Sequence, residues 1–407
     1  MRRVAFAAFL LVVGVVLGAP VQEADSTDFF SDSSSVQDFA STTDAPQPTK
    51  QASPVASTSC PTTAPPVQAD YCPCTASSLW VDVVFVADTS DDMGKENVDD
   101  AQATISSVLY GLTFGTNIYQ TNVAVLAFAG HVQTVNAFGS MTSINDIFAF
   151  SLPYLGGKQQ SMAAAITQAT TMLSAVSTAN RRSVIVMLSS SFDTDDAEDI
   201  TKAVTAFQDD FGVFVSLDFS TQGDSQLHGL ASPGYAIPTD PTVKVQPVDV
   251  IDALCDANCF CRDSLVPYTL ASARNLPNGG CYHFATSGAV YAAANQSCYN
   301  EKAIVATAED TNKDSFLVSH LGPKPSFWLG FVNDGTGRYV WTDNGQTVNS
   351  AWGKDQPNTA VGDCVFQNLT GGFNYAWYSA PCTDPVSASY LYACQATPCS
   401  SVYDCTL

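Results

Sequence analysis

Three acids and two hydroxyls occupy five consecutive positions, Asp88-Thr89-Ser90-Asp91-Asp92, directly after the β-branched run Val81 to Ala87. Carboxylates crowded at the end of a buried strand raise one another's pKa by like-charge repulsion. Left unpaired, three such carboxylates do not all stay ionised cheaply. A second acidic run, Asp193 to Asp199, suits a helix N-terminus, where carboxylates face the positive end of the dipole. The four histidines, His131, His228, His283 and His320, are scattered and give no zinc spacing. No Gly-x-Ser-x-Gly elbow, phosphate loop or Cys/His nucleophile pattern is present, so the chain is expected not to be an enzyme. Asn295-Gln296-Ser297 and Asn368-Leu369-Thr370 are N-glycosylation sequons.

The elements that must position these groups are legible in the apolar pattern. Strand-like Val81 to Ala87, Asn122 to Ala129, Ser183 to Leu188 and Val213 to Phe219 alternate with helical stretches. The helices run near Lys95 to Leu112, Ser161 to Val176, Asp195 to Phe207 and Val248 to Ala257. Such alternation predicts an α/β doubly wound, mostly parallel sheet over residues 79–258. After Cys261 the texture changes: Gly, Asn, Trp and Tyr become frequent. Two helices, around Ser287 to Asn300 and Asp310 to His320, precede short strands separated by turns. This predicts a disulfide-stapled α+β domain over 261–395, with a Cys-containing tail at 396–407.

Charge and compartment narrow the partners. The chain has 407 residues, with 39 Asp+Glu against 16 Lys+Arg and a net charge of −23. That balance argues against nucleic acid and anionic lipid, both of which need a basic surface. Arg2 and Arg3 precede the apolar run Val4 to Leu17, with small residues at Gly18 and Ala19. The pattern reads as a signal peptide, residues 1–18, and predicts a secreted, extracellular protein without membrane insertion. Residues 19–78 are rich in Ser, Thr, Pro and acids and are expected to form a disordered stalk. In an oxidising compartment the 13 cysteines read as disulfides. The odd one is assigned to Cys60, alone in the low-complexity stretch.

The first half resembles a von Willebrand factor A domain, on the strand–acidic-loop–helix start and the βα alternation. The resemblance implies a cation site at Asp-x-Ser-x-Ser, completed by a Thr and a distal Asp. Here Asp92 stands at the second Ser. The Thr loop reads Gly156-Gly157-Lys158-Gln159-Gln160-Ser161, and Ser190 stands where the Asp is expected. Asp88, Ser90 and Asp92 are therefore degenerate metal candidates, and Lys158 is expected to neutralise Asp88, Asp91 and Asp92. A weak Ca²⁺ or Mg²⁺ site in this loop stays open as the alternative.

The second half resembles a C-type lectin-like domain. The carrying pieces are Gly280-Cys281-Tyr282-His283-Phe284, Phe327-Trp328-Leu329-Gly330, Trp341, Trp352, Gln356-Pro357-Asn358, Asp363-Cys364-Val365, Trp377 and Tyr392-Ala393-Cys394. The resemblance implies bridges Cys298–Cys394 and Cys364–Cys382, with Cys261–Cys281 as a third. Cys399–Cys405 in the tail, and Cys72 or Cys74 with Cys255 or Cys259, are further candidates. It also implies a Ca²⁺-dependent sugar loop, from which this chain departs. Gln356-Pro357-Asn358 mixes two loop types, Gly362 replaces a Glu, and Trp377-Tyr378-Ser379 replaces Trp-Asn-Asp. Gln356, Asn358, Tyr375 and Tyr378 are the ligand-binding candidates, the two tyrosines expected exposed beside the loop. Trp328, Trp341, Trp352 and Trp377 are expected in the core. Asn295 and Asn368 are the glycosylation candidates. The domain pair resembles secreted nematode proteins associated with surface recognition and innate defence. It implies a non-catalytic recognition protein that binds a glycan or glycoprotein, with no resident cofactor. The alternative is a metal-independent protein–protein or matrix scaffold.

Overall fold

The structure, a computed structural model, describes residues 72–405 except 222, 239–244, 263, 271–273, 275, 322–325, 348–350, 372–373, 385 and 387. The signal segment, Cys60 and the stalk up to residue 71 lie outside the described residues.

The first unit runs β1 (Val81–Asp88), α1 (Lys95–Gly111), β2 (Asn122–Phe128), β3 (Val132–Asn136), α2 (Ile144–Ala149), α3 (Met162–Val176) and β4 (Arg182–Ser189). It continues α4 (Ala197–Asp209), β5 (Val213–Asp218), α5 (Ser225–Leu230), β6 (Ala236–Ile237) and α6 (Pro247–Ala257). The sheet order is β3-β2-β1-β4-β5-β6, parallel except for the antiparallel edge strand β3. Alternation within β1 explains its continuous apolar run. Val81, Val83, Phe85 and Ala87 pack under α1 and α6, while Val84 and Val86 pack under α3 and α4. A strand covered on both faces has no polar side to show.

Asp82 interrupts that run with a buried charge. Arg181 Nε lies 3.0 Å from its Oδ1, both side chains almost fully buried. Burial raises the Asp82 pKa, against the pull of Arg181 and Asn122. The pairing holds the N-terminal end of the sheet, opposite the acidic loop.

The second unit carries β7 (Val266–Pro267), β8 (Cys281–Phe284), α7 (Tyr291–Asn300), β9 (Ile304–Val305), α8 (Thr311–Leu321), β10 (Ser326–Asn333) and β11 (Tyr339–Trp341). It ends with β12 (Cys364–Gly371), β13 (Asn374–Ala380) and β14 (Ala393–Ala396). Two antiparallel sheets form, β11-β10-β12-β13 and β7-β8-β14-β9. Trp341 and Trp377 are buried in one aromatic cluster with Trp352 half-buried against it, and Trp328 is buried in a second cluster with Tyr291 and Cys298 of α7. Trp377 Nε1 donates to Gln367 Oε1 at 2.9 Å, and Gln367 Nε2 donates to Asp314 Oδ1 at 2.6 Å. A polar chain so satisfied is tolerated inside an apolar core.

Disulfides join Cys298–Cys394, Cys364–Cys382, Cys261–Cys281 and Cys399–Cys405. Cys72 pairs with Cys259 and Cys74 with Cys255. Residues 72–78, assigned to the stalk on composition, therefore belong to the folded unit, with a short 3-10 turn at Ala76–Ser78. The tail folds back on this junction. Ser401 Oγ donates to the Pro73 carbonyl at 2.7 Å, Tyr119 OH to Asp404 Oδ2 at 3.1 Å, and Phe260 bridges to Cys399.

Candidate functional site

Parallel strands bring Asp88 at the end of β1 beside Ser189 at the end of β4, the register placing Ala87 opposite Leu188. The loop 153–161 lies across both. Leu155 N and Gly156 N donate to the Thr89 carbonyl, Asp91 N donates to the Gly157 carbonyl, and Gln160 N to the Ala129 carbonyl. This pinning turns Gln159 inward, where it is 6% exposed. Its Nε2 lies 2.8 Å from Asp88 Oδ2, 2.8 Å from Ser189 Oγ and 3.1 Å from the Ser191 carbonyl. Its backbone N donates to Asp92 Oδ2 at 3.0 Å. Ser189 Oγ donates to Asp88 Oδ2 at 3.0 Å and Ser90 N to Asp88 Oδ1 at 3.0 Å. Burial pushes the Asp88 carboxyl up, and these hydrogen bonds oppose it.

Lys158 does not do what the sequence suggested. It is exposed, and among the described residues it forms no ion pair with Asp88, Asp91 or Asp92. Asp91 instead accepts from Tyr154 OH at 2.7 Å. Ser190 turns to the Asp92 carbonyl at 3.1 Å. The correction has a simple cause: the loop's backbone bonds present residue 159, not 158, to the carboxylates. The donor set does not fit a divalent cation of the kind the resemblance implies. The free lone pairs of Asp88 and Ser189 already face a nitrogen, and the distal carboxylate is missing.

The second candidate region is the long loop between β11 and β12. Gln356-Pro357 is a cis peptide bond. Gln356 Oε1 accepts from Ser379 N at 2.9 Å, and Asn358 N donates to Ser379 Oγ at 3.0 Å. Asn358 Oδ1 accepts from Ala360 N at 3.0 Å. Ser379 thus clips the loop to β13 from both sides. Tyr339 OH supports it, sharing a hydrogen bond with Ser379 Oγ at 3.0 Å and donating to the Gly362 carbonyl at 2.6 Å.

Gly362 shows why no carboxylate stands there. A Cβ at this position would lie 2.1 Å from the Ala380 carbonyl oxygen and 2.5 Å from Pro381 N. Backbone fills the space a Glu side chain would need. Asp363, the nearest acid, accepts from Asn333 Nδ2 at 2.8 Å. A calcium cage of the implied type, built on several charged oxygens, does not fit these residues either.

The structure brings Gln356, Asn358 and Tyr378 into one neighbourhood, while Tyr375 lies three residues from Tyr378, towards the β12–β13 hairpin. Neither tyrosine is fully exposed, contrary to expectation. The Tyr378 ring lies directly over Gly353, where an added Cβ would meet ring atoms at 2.5 Å, and it stacks on Phe366 at 5.7 Å. The amide nitrogens of Gln356 and Asn358 have no partner among the described residues, so they are available as donors. Of the sequons, Asn295 sits half-buried on α7, and Asn368 Oδ1 in β12 accepts from Ser326 Oγ at 2.9 Å.

A third cluster was not anticipated. Lys313 on α8 is 6% exposed, its Nζ 2.7 Å from Thr307 Oγ1 and 2.8 Å from Glu309 Oε2. Thr307 Oγ1 is also 2.5 Å from Glu309 Oε1 and 3.3 Å from Asp343 Oδ2. Burial pushes Glu309 up, but its hydrogen bond with Asp343, Lys313 and Thr307 outweigh it and hold it at about 2. Burial, then the hydrogen bond and repulsion from Glu309, raise Asp343 to about 7 against the pull of Lys313. The only sequence signal was the i,i+4 spacing of Glu309 and Lys313, which ordinarily marks an exposed helical pair.

Two further places resemble sites and are not. His283, Glu301 and Cys394 bring ligand atoms within 4.8 Å, but Cys394 Sγ is bonded to Cys298 and offers no thiolate. A cleft of about 1020 Å³ includes Arg181, Arg182, Phe260, Arg262 and His283. Its cations are engaged: Arg181 by Asp82, Arg182 Nε by the Phe211 carbonyl at 2.6 Å, Arg262 by the Glu301 carbonyl and His283 by Glu301. It is a joint between the two units.

The von Willebrand factor type A domain family matches residues 82–243, and the Lectin C-type domain family matches 287–395. The chain is 23% identical over 361 residues to C-type lectin domain-containing protein 160 of Caenorhabditis elegans, covering 81% of this chain and 55% of that protein. It thus spans about half the length of that relative. Among solved structures, a Ca²⁺-dependent type II antifreeze protein in its Ca²⁺-free form shares 25% identity, covering 34% of this chain and all of that one, at a TM-score of 0.28. The C-type lectin domain of murine dendritic cell inhibitory receptor 2, in complex with N-glycan, shares 20% identity over 34% of this chain and 98% of that one, also at 0.28. Among the described residues no helix is long and apolar enough to cross a membrane.

Proposed function

The chain joins a von Willebrand factor type A domain, residues 82–243, to a C-type lectin domain, residues 287–395, and from that pairing we propose an extracellular, non-catalytic recognition protein whose lectin domain binds a glycan or glycoprotein without calcium. The observation that carries it is the clip of Ser379 on the Gln356–Asn358 loop. The amide oxygens are spent inside the protein and hold the loop, while the amide nitrogens of Gln356 and Asn358 remain to donate to sugar hydroxyls. A prearranged loop loses less entropy on binding. Tyr378, half-buried with its ring over Gly353 of that loop, supplies the aromatic surface for a pyranose face.

The test is a glycan array probed with the whole secreted chain and with Gln356→Ala and Asn358→Ala. Each variant is expected to lose about tenfold in affinity for the best glycan, about 1.4 kcal/mol. A blank array, together with chelator-insensitive capture of an extracellular protein, would replace this reading with the matrix scaffold.

A further inference from the structure

Three segments distant in sequence aim oxygens at one nitrogen in the A domain. Asp88 ends β1, Ser189 ends β4, Ser191 follows β4, and Gln159 Nε2 lies within 3.1 Å of an oxygen from each. Gln159 does not reach this place by default. Its neighbours Lys158 and Gln160 are exposed. Its backbone is fixed by Asp92 on one side and, through Gln160 N, by the Ala129 carbonyl on the other. A buried amide with its hydrogens directed at converging oxygens is a satisfied centre.

We infer that Gln159 is a built-in substitute for a divalent cation, so that the C-terminal edge of the A-domain sheet is assembled and held without metal. The nitrogen occupies the point on which the oxygens converge. A cation that bound them at 2.0–2.6 Å would have to expel it. Ser190, which stands where a distal carboxylate would complete a cage, is committed to the Asp92 carbonyl. The same bonds that a bridging ion would provide between β1, the 153–161 loop and the β4 end are made by one side chain. Any association through this edge is therefore insensitive to chelators. This inference is independent of the lectin-domain reading.

Two measurements on the full chain test it. Mn²⁺ is titrated calorimetrically and Mg²⁺ is added in thermal melts. The wild type is expected to give no saturable binding at Asp88 and a melting-temperature shift under about 1 °C, the scale of a negligible stability change. Gln159→Ala, which removes the bridge and retains Asp88 and Ser189, is expected to lower the melting temperature by about 4 °C or more. Stoichiometric Mn²⁺ binding by the wild type that Asp88→Asn abolishes would overturn the inference. So would a Gln159→Ala melt indistinguishable from wild type. If Gln159→Ala fails to fold, the bridge is confirmed as structural and the wild-type titration alone decides whether metal has a place there.

Discussion

At the A-domain edge a neutral amide, Gln159 Nε2, sits among Asp88, Ser189 and Ser191. In the lectin domain a buried ammonium, Lys313 Nζ, sits between Thr307 and Glu309. Both nitrogens knit oxygen-rich clusters from separate elements. They differ in what they do to charge. The amide satisfies lone pairs but cancels nothing, so burial alone is enough to push Asp88 up. The ammonium cancels Glu309, and the second acid, Asp343, is then pushed to about 7. Burial, then the hydrogen bond and repulsion from Glu309, are the physical reasons it resists ionising. A neutral filler rigidifies; a charged filler also makes the fold responsive near neutral pH.

The largest expected effect lies at the charged filler. Lys313→Met leaves Glu309 buried without its cation and is expected to cost about 3–5 kcal/mol, measured by urea denaturation. This should exceed the cost of Gln159→Ala, about 1–3 kcal/mol for unsatisfied buried acceptors. The reverse order would break the distinction between the two clusters.

The next effect is a pH dependence. Asp343 is raised above its ordinary value of 3.8 to about 7. Its contribution is fully present below 3.8 and is lost as pH climbs through 7, because the unfolded state holds the ionised form more comfortably. Glu309, lowered from 4.5 to about 2, loses its contribution only as pH falls below its ordinary value. Between pH 5 and 8 the Asp343 direction therefore dominates. Asp343→Asn is expected to raise the melting temperature more at pH 8 than at pH 5, by about 2–4 °C. Equal gains at both pH values would remove the titration from the comparison.

The smallest effect sharpens the picture of the loop. Ser379→Ala removes the hydroxyl that accepts from Asn358 N and leaves the Ser379 N–H to Gln356. Stability is expected to fall by only about 1 kcal/mol. Glycan binding, measured by biolayer interferometry, should weaken by about tenfold because half of the clip is lost. Unchanged binding would show that the loop's shape does not depend on this strand.

Much of the scaffold could be read from residues, because strands buried on both faces leave long apolar runs. β1, β2, β4 and β5 are such strands. β3 was missed because its residues are half-buried or exposed, and a short edge strand carries little apolar signal. α2 and α5, six residues each, are too short for a helical period to register. At the A-domain edge the motif positions were legible, but the side chain that fills it was misassigned by one residue. Coulomb reasoning favours an ammonium near three acids, whereas backbone bonds decide which side chain faces inward. Gly362 could be read as a lost ligand, but not as a point where backbone occupies the space. Lys313 was hidden because its spacing to Glu309 fits a surface pair, and the convergence of Thr307, Glu309 and Asp343 around its buried ammonium is a tertiary contact that spacing does not show.

The proposal of recognition without a cation is tested most directly by the affinity of the whole chain for its best array glycan, measured in 5 mM EDTA and again in 5 mM Ca²⁺, concentrations about 1,000 times those at which sensor-type calcium sites fill. The predicted result is the same Kd in both buffers, within about twofold. Binding that vanishes in EDTA and returns on adding Ca²⁺ would contradict it.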